Sequence, residues 1–295
     1  MTGEAAAGVL PIDKPEGPTS HDVVAMARRA LNTRRIGHTG TLDPFASGLL
    51  LLCIGWATRI AEYLSGLPKT YIAVARLGVS TDTADRTGAV TGTSERWREL
   101  SRDEIVRAFQ AQVGSFLQVP PRYSAKKVAG VPLHRRVRRG EDVEASPVRV
   151  TIHELEVLDV QPPDVRFRVR CSAGTYVRAI ARDVGEALGT GGHLTALRRT
   201  RIGPHDVEAA LSIRELHDPA ARQRAMLSPA EALSHLPAVD IGAREAAQVL
   251  HGRTLPPPPG TPPEGPVRVL HAGRLLAIAE ADGGALRPRK VFPDA

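Results

Sequence analysis

The chain has 295 residues, 42% hydrophobic and 24% charged, the balance of an ordinary globular protein with room for one large domain or two unequal ones. A core of that size needs no disulfide or metal, and no apolar run approaches the ~18 residues of a membrane span. The net charge of +7, with arginine concentrated at Arg28-Arg29, Arg34-Arg35, Arg135 to Arg139 and Arg198 to Arg201, is that of a protein with a polyanionic partner or of a solvated arginine-rich surface set by biased composition.

The opening MTGEAAAGVLPIDKP has no basic segment followed by an apolar one, so no secretory signal is read and the cytoplasm is the expected compartment. The two cysteines, Cys53 and Cys171, lie in or beside apolar runs and read as buried free thiols. VLPIDKPEGPTSHDVVAMARRALNTRR predicts a short strand, a Pro/Gly loop and a helix, with Thr19 or Ser20 as N-cap and Asp22 in the first turn. The LLLLCIG run predicts a buried strand, ATRIAEYLSG a short helix ending near Gly66, and KTYIAVARLG a strand. STDTADRTG is a turn-rich loop, and SRDEIVRAFQAQVG a Ser-capped helix with Ile105, Val106 and Phe109 on its apolar side.

A basic stretch from about Val119 to Ser146, bounded by prolines and lacking apolar periodicity, reads as a surface insertion. VRVTIHELEVLDV and DVRFRVRC flank QPPD as a hairpin, with Val165, Phe167, Val169 and Cys171 on one face and Arg166, Arg168 and Arg170 on the other. AGTYVRAIARDVGEALG predicts a helix and HLTALRRTRIG a strand. From about Ala238 a short helix, the proline run PPPPGTPPEGP and short strands predict a small β-rich unit, with the prolines forming a stiff loop inside it.

The sequence has no Cys/His pairing suited to a metal, no G-x-S-x-G elbow, no phosphate loop and no dinucleotide fingerprint. The remaining candidate is RRIGHTGTLDPFASGL, residues 35 to 50, a glycine-bearing loop running into the LLLLCIG strand. Asp43 precedes Pro44, which pushes it toward extended geometry and onto a loop. By spacing alone Asp43 is a nucleophile, a general base or a turn residue.

RRIGHTGTLDPFASGLLLLCIG closely resembles the catalytic motif of the bacterial tRNA pseudouridine synthases that modify uridine 55 in the T-arm, the TruB family. GVLPIDKPEGPTSHDVV, KTYIAVARLGVSTDTADRTG, CSAGTYVRAIARDVGEALG and HLTALRRTRIG are similar to further motifs of that family, in order along nearly the whole chain. The resemblance implies an α+β fold: a mixed, mostly antiparallel central sheet flanked by helices over residues 1–237, and a small C-terminal PUA-like RNA-binding domain over 238–295. It implies Asp43 as nucleophile, Arg178 as its cationic partner and Tyr71 stacking on the target base and moving the C5 proton. It further implies Tyr176 as a second substrate-contacting tyrosine, Leu197 as an apolar wall of the uracil pocket, and His38 entering the T-loop when the nucleotide is flipped out. Lys14 and Pro15 belong to a supporting motif.

The basic insertion, with Tyr123, Lys126, Lys127 and Arg135 to Arg139, is similar to a thumb that closes on the T-arm. The guanidinium of Arg178 is expected to lower the Asp43 pKa and fix its rotamer. The implied enzyme needs no cofactor and no metal, has tRNA as its partner, uses neither membrane nor guide RNA, and works as a monomer. The alternatives are a tRNA-binding chaperone of the same fold that has lost its chemistry, and a guide-RNA-dependent relative.

Overall fold

The computed structural model describes residues 7–121, 127–128, 131–132 and 146–292. Most of the basic insertion, with Tyr123, Lys126 and Arg135 to Arg139, lies outside them. So does the side chain of Lys127, whose backbone forms the short pair Lys127–Val128 with Val131–Pro132.

Among the described residues, ten strands build one sheet. Its path runs Leu211–Ser212, Gly8–Lys14, Ser47–Ile54, Gly192–Ile202, Lys69–Leu77, Asp164–Cys171, Val148–Gln161, Gly114–Gln118. Two of its joints are parallel, Ile12 beside Leu211 and Arg198 beside Ser47; the others are antiparallel. The apolar run Leu49–Ile54 is fully buried because both of its faces are covered.

Local chemistry sets the helix starts. Thr19 caps Ser20–Ala30 in a reciprocal box with Asp22, and Ser101 caps Arg102–Gln110 in the same way with Glu104. Ile105 and Phe109, one turn apart, are buried, and Phe109 meets Phe167 of the sheet at 4.9 Å between ring centroids. Helix Val177–Ala187 buries Ile180, Ala181 and Val184 in the same cluster. These helices cover one face of the sheet near its middle, where the strands Lys69–Leu77 and Gly192–Ile202 meet in a long antiparallel pair.

The hairpin Val148–Gln161 and Asp164–Cys171 has the expected alternation, with Val165, Phe167, Val169 and Cys171 buried. Its opposite face is not a bare positive surface. Arg168 pairs with Glu156, Arg170 lies 3.1 Å from Glu154, and Arg166 sits in register with Asp159. Cross-strand acids neutralise Arg168 and Arg170, two of the three arginines on that face.

A second sheet, Ala238–Asp240, Glu264–His271, Arg274–Asp282 and Leu286–Val291, forms the C-terminal part with helix Ala243–Leu250. The proline-rich stretch is a loop between that helix and the strand opening at Glu264. One face of this sheet buries Val267, Val269 and Ala277 against the helix. Leu275, Ile278 and Phe292 instead join Val9, Leu49 and Leu51 of the large sheet in one apolar cluster. Phe292 stacks on Trp56 with ring centroids 4.6 Å apart, and Arg59 Cζ lies 4.9 Å from the Phe292 ring centroid.

Candidate active site

The loop bearing Asp43 joins the antiparallel strands Ile36–His38 and Ser47–Ile54. It is pinned from the N-terminal segment. Ser20 Oγ accepts the Leu42 amide at 2.9 Å and donates to the Leu42 carbonyl at 3.2 Å, and the Gly17 amide donates to the Pro44 carbonyl at 2.8 Å. Lys14, fully buried, donates to the carbonyls of Pro15 and Pro18 and so fixes the turn that carries Gly17. The Ala46 amide closes a turn on the Asp43 carbonyl at 3.1 Å. The carboxylate is thus held on a rigid loop, as the Asp-Pro step predicts.

Asp43, Tyr71, Tyr176, Arg178 and Leu197 all line one cavity of about 620 Å³. Residues as far apart in sequence as Asp43 and Leu197 therefore meet around one space large enough for a nucleoside. Arg178, in the first turn of helix Val177–Ala187, places Nε 2.9 Å from Asp43 Oδ2 and Nη2 3.4 Å from Oδ1. Its Nη1 donates to the Thr83 carbonyl at 2.7 Å and to Asp85 Oδ2 at 3.2 Å. The guanidinium is 4% exposed, whereas Asp43 remains 35% exposed toward the cavity. The start of that helix is fixed by Gln118, which accepts the Tyr176 amide at 2.9 Å and donates to the Tyr176 carbonyl at 3.2 Å.

The net effect on Asp43 differs from the expectation. Burial raises its carboxyl above the ordinary value; Arg178 pulls it down, and the second carboxylate, Asp85, pushes it up. A paired arginine lowers a carboxylate only where it outweighs the lost hydration, and here one guanidinium serves two acids. Tyr71, 8% exposed, has its phenol raised by burial and stays protonated; Arg199 opposes that shift by charge and a hydrogen bond.

Asp85 and Arg199 are site residues that the sequence reading does not single out. Asp85 sits in the turn-rich loop after the Tyr71 strand, where acids are common. Its Oδ1 accepts from Thr83 Oγ1 and the Thr87 amide, both at 2.9 Å. Arg199 is 1% exposed and donates to the carbonyls of Leu49, Gly40 and Thr41 at 2.7, 3.1 and 3.4 Å. A signal for it exists: Leu197 and Arg199 are two apart in a strand and share a face. Lys69, also at the cavity, donates to the Ser65 and Leu67 carbonyls, and burial pushes it down to about 8.

His38 is not among the residues lining the cavity, although the next residue, Thr39, is. It packs edge-on against His21 at 5.3 Å, its Nδ1 accepts the Gly40 amide at 3.3 Å, and burial pushes its pKa down to about 4. His38 is therefore a neutral ring at physiological pH. Among the described residues no cluster of His, Cys, Asp and Glu is arranged to hold a metal ion, and no helix is long and apolar enough to cross a membrane.

The mixed central sheet with its flanking helices has the fold of a pseudouridine synthase. Two solved structures share the fold. One is described as a Cbf5-Nop10-Gar1 complex: TM-score 0.76 and 30% identity over 97% of this chain and 84% of that one. The other is described as an H/ACA RNP bound to a substrate RNA containing 2'-deoxyuridine: TM-score 0.75 and 28% identity over the same shares. The sequence matches the TruB family pseudouridylate synthase N-terminal domain over residues 28–177, the tRNA pseudouridylate synthase B C-terminal domain over 178–235, and the tRNA pseudouridine synthase II C-terminal domain over 236–293.

The chain belongs to the TruB family of pseudouridylate synthases, and it is an isomerase that forms pseudouridine in tRNA. Its relatives include proteins called tRNA pseudouridine synthase B from Aromatoleum aromaticum, 46% identical over 96% of this chain and 92% of that protein, and from Burkholderia mallei, 46% identical over 99% and 98%.

Proposed function

We propose that the cavity receives uridine 55 of the tRNA T-arm and that Asp43 is the nucleophile of its conversion to pseudouridine. The C1′–N1 bond breaks, the base turns, C1′ joins C5, the C5 proton leaves and N1 gains one, so the product is an isomer and no group donor is consumed. The observation that carries this reading is the ion pair of Asp43 with Arg178 at the cavity that Tyr71, Tyr176 and Leu197 also line. A carboxylate attacks only when ionised, and the guanidinium both favours that form and holds the two oxygens in place.

Tyr71 presents a flat ring for stacking and, close to the reacting base, a protonated phenol that relays the C5 proton. Tyr176 and Leu197 form apolar walls that exclude water. His38, neutral and next to the cavity loop, fills space that the extracted nucleotide leaves in the T-loop. The basic insertion about 119–146 closes on the RNA as a thumb. Residues 238–295 act as a PUA-like RNA-binding domain, a division supported by the second sheet opening at Ala238 and the C-terminal match beginning at 236. The protein works as a monomer in the cytoplasm without guide RNA; relatives named as tRNA pseudouridine synthase B and 43% to 46% identical over nearly the full chain support the tRNA part of this reading.

Incubation of the pure protein with an unmodified tRNA transcript, followed by pseudouridine mapping, tests the proposal. One new pseudouridine at position 55 is expected. Asp43→Asn is expected to make none while keeping tRNA affinity within a few-fold. A product at another position, or an active Asp43→Asn, overturns the reading; unimpaired binding with no turnover by the wild type would indicate a chaperone.

A further inference from the structure

We infer that Arg149 is a substrate-binding residue, a fixed cation at the cavity mouth that takes a phosphate of the RNA strand whose base has entered. The inference rests on the tRNA reading above and adds to it a residue that none of the recognised motifs contains.

Arg149 lines the same cavity as Asp43, yet it is exposed. It stands near the start of strand Val148–Gln161, whose pairing with Asp164–Cys171 begins only at Ile152. Residues 148–151 therefore run past the end of that neighbour. They are held there by two other contacts. The strand Gly114–Gln118 pairs along them, and Thr151 and Ser172 bond reciprocally, the Ser172 amide to the Thr151 carbonyl at 2.8 Å and the Thr151 amide to Ser172 Oγ at 2.9 Å. The backbone at Arg149 is thus held by its neighbours, and the residue is exposed where it borders the cavity.

The charge pattern around it is the second observation. Each other cation at the cavity already has its partners: Arg178 has Asp43 and Asp85, and Lys69 and Arg199 have backbone carbonyls. Further along the same strand, Glu154 and Glu156 neutralise the arginines opposite them. Among the described residues no carboxylate is within ion-pair distance of Arg149. Its cross-strand partner is Leu117, 63% exposed, an apolar residue where an acid would cancel the charge.

A base drawn into this cavity brings its own phosphates to the opening, because base and backbone are covalently joined. A guanidinium offers a planar fork that matches phosphate oxygens two at a time. Such a contact fixes position and register without reading sequence. Arg149 therefore contributes to tRNA affinity and to the placement of the nucleotide over Asp43, and takes no part in bond making.

Steady-state kinetics on a tRNA transcript across a salt series test this with Arg149→Ala, Arg149→Lys and Leu117→Glu in the full chain. Arg149→Ala is expected to raise KM about tenfold with kcat within about twofold. The slope of log KM against log salt should fall by about 0.7 to 0.9, the loss of one phosphate contact. Arg149→Lys should restore part of both. Leu117→Glu, which places a carboxylate opposite an untouched Arg149, should reproduce the Arg149→Ala effects. Thermal melting should be unchanged in Arg149→Ala, since the residue is exposed and has no ion-pair partner among the described residues. KM and salt slope equal to wild type in Arg149→Ala, or a collapse of kcat at unchanged KM, overturns the inference while leaving the site reading intact. A wild-type protein that makes no pseudouridine in tRNA overturns the site reading itself.

Discussion

Arg178 grips Asp43 side-on, with Nε 2.9 Å from Oδ2 and Nη2 3.4 Å from Oδ1, while its remaining nitrogen is turned away toward the buried Asp85. One guanidinium thus serves two acids of unequal exposure, and the more exposed one lines the cavity. Burial and the Asp85 charge hold the Asp43 carboxyl above its ordinary value. With Asp43 as the proposed nucleophile the ionised form is the reactive one, so activity should be lost as pH falls through that raised value. The acid limb of kcat/KM should therefore lie above the usual carboxylate range of about 3.9. Asp85→Asn removes a like charge and should move the limb to lower pH. A wild-type limb at or below the usual range contradicts the assignment.

Removing the guanidinium should be costly for stability as well as for chemistry. Arg178→Ala leaves Asp85, 5% exposed, as a buried charge without its cation. The expected destabilisation is about 3–5 kcal/mol, read by urea titration. Turnover should fall by about two to three orders of magnitude. Arg178→Lys should recover part of the stability and little of the activity, because an ammonium cannot reach both acids in this geometry.

Gly48 is required by close packing beneath the site. Its φ is +107°, and a Cβ there would lie 2.2 Å from the Arg199 carbonyl oxygen and 2.7 Å from its amide nitrogen. Gly48→Ala should destabilise the protein by about 2 kcal/mol or more and, by displacing Arg199, lower activity. Gly92→Ala, where a Cβ meets nothing within 4 Å, serves as the control and should melt within a degree or two of wild type.

His38 gives a pH dependence of stability with a definite sign. Its folded pKa is pushed down to about 4, against about 6.5 when unfolded. As pH falls below about 6.5 the unfolded chain takes up a proton that the folded one refuses, so stability is lost between about pH 6.5 and 4. His38→Gln should be less acid-sensitive across that window. Urea midpoints at pH 7 and pH 4.5 check this: the drop between them should be smaller in the variant.

Much of this architecture is legible in the sequence, for identifiable reasons. Capping boxes at Thr19 and Ser101 are local patterns that survive folding unchanged. The alternation of Val165, Phe167 and Val169 marks a half-buried strand before any partner is known. Asp43 is visible because a glycine loop and a following proline isolate it. Asp85 and Arg199 are not, since what makes them special is a guanidinium brought from another element and carbonyls brought from a distant loop. The segment after Ile202 was equally silent: helices Pro219–Ala225 and Pro229–Ala232 are too short to show a helical period. The direction of the Asp43 shift depends on how much water the fold removes, which no spacing of residues reveals.

The crossed Arg–Glu rungs on the hairpin also decide where the protein's electrostatic pull resides. With that broad face cancelled, the excess must come from elsewhere, and residues 119–146 carry seven basic against three acidic side chains of a total of +7. A version lacking that one segment would keep its catalytic groups but lose more than half its surplus charge. Its capture of RNA should then be slower and much less sensitive to ionic strength. On the proposed function, long-range attraction and bond chemistry fall to separable stretches of the same polypeptide.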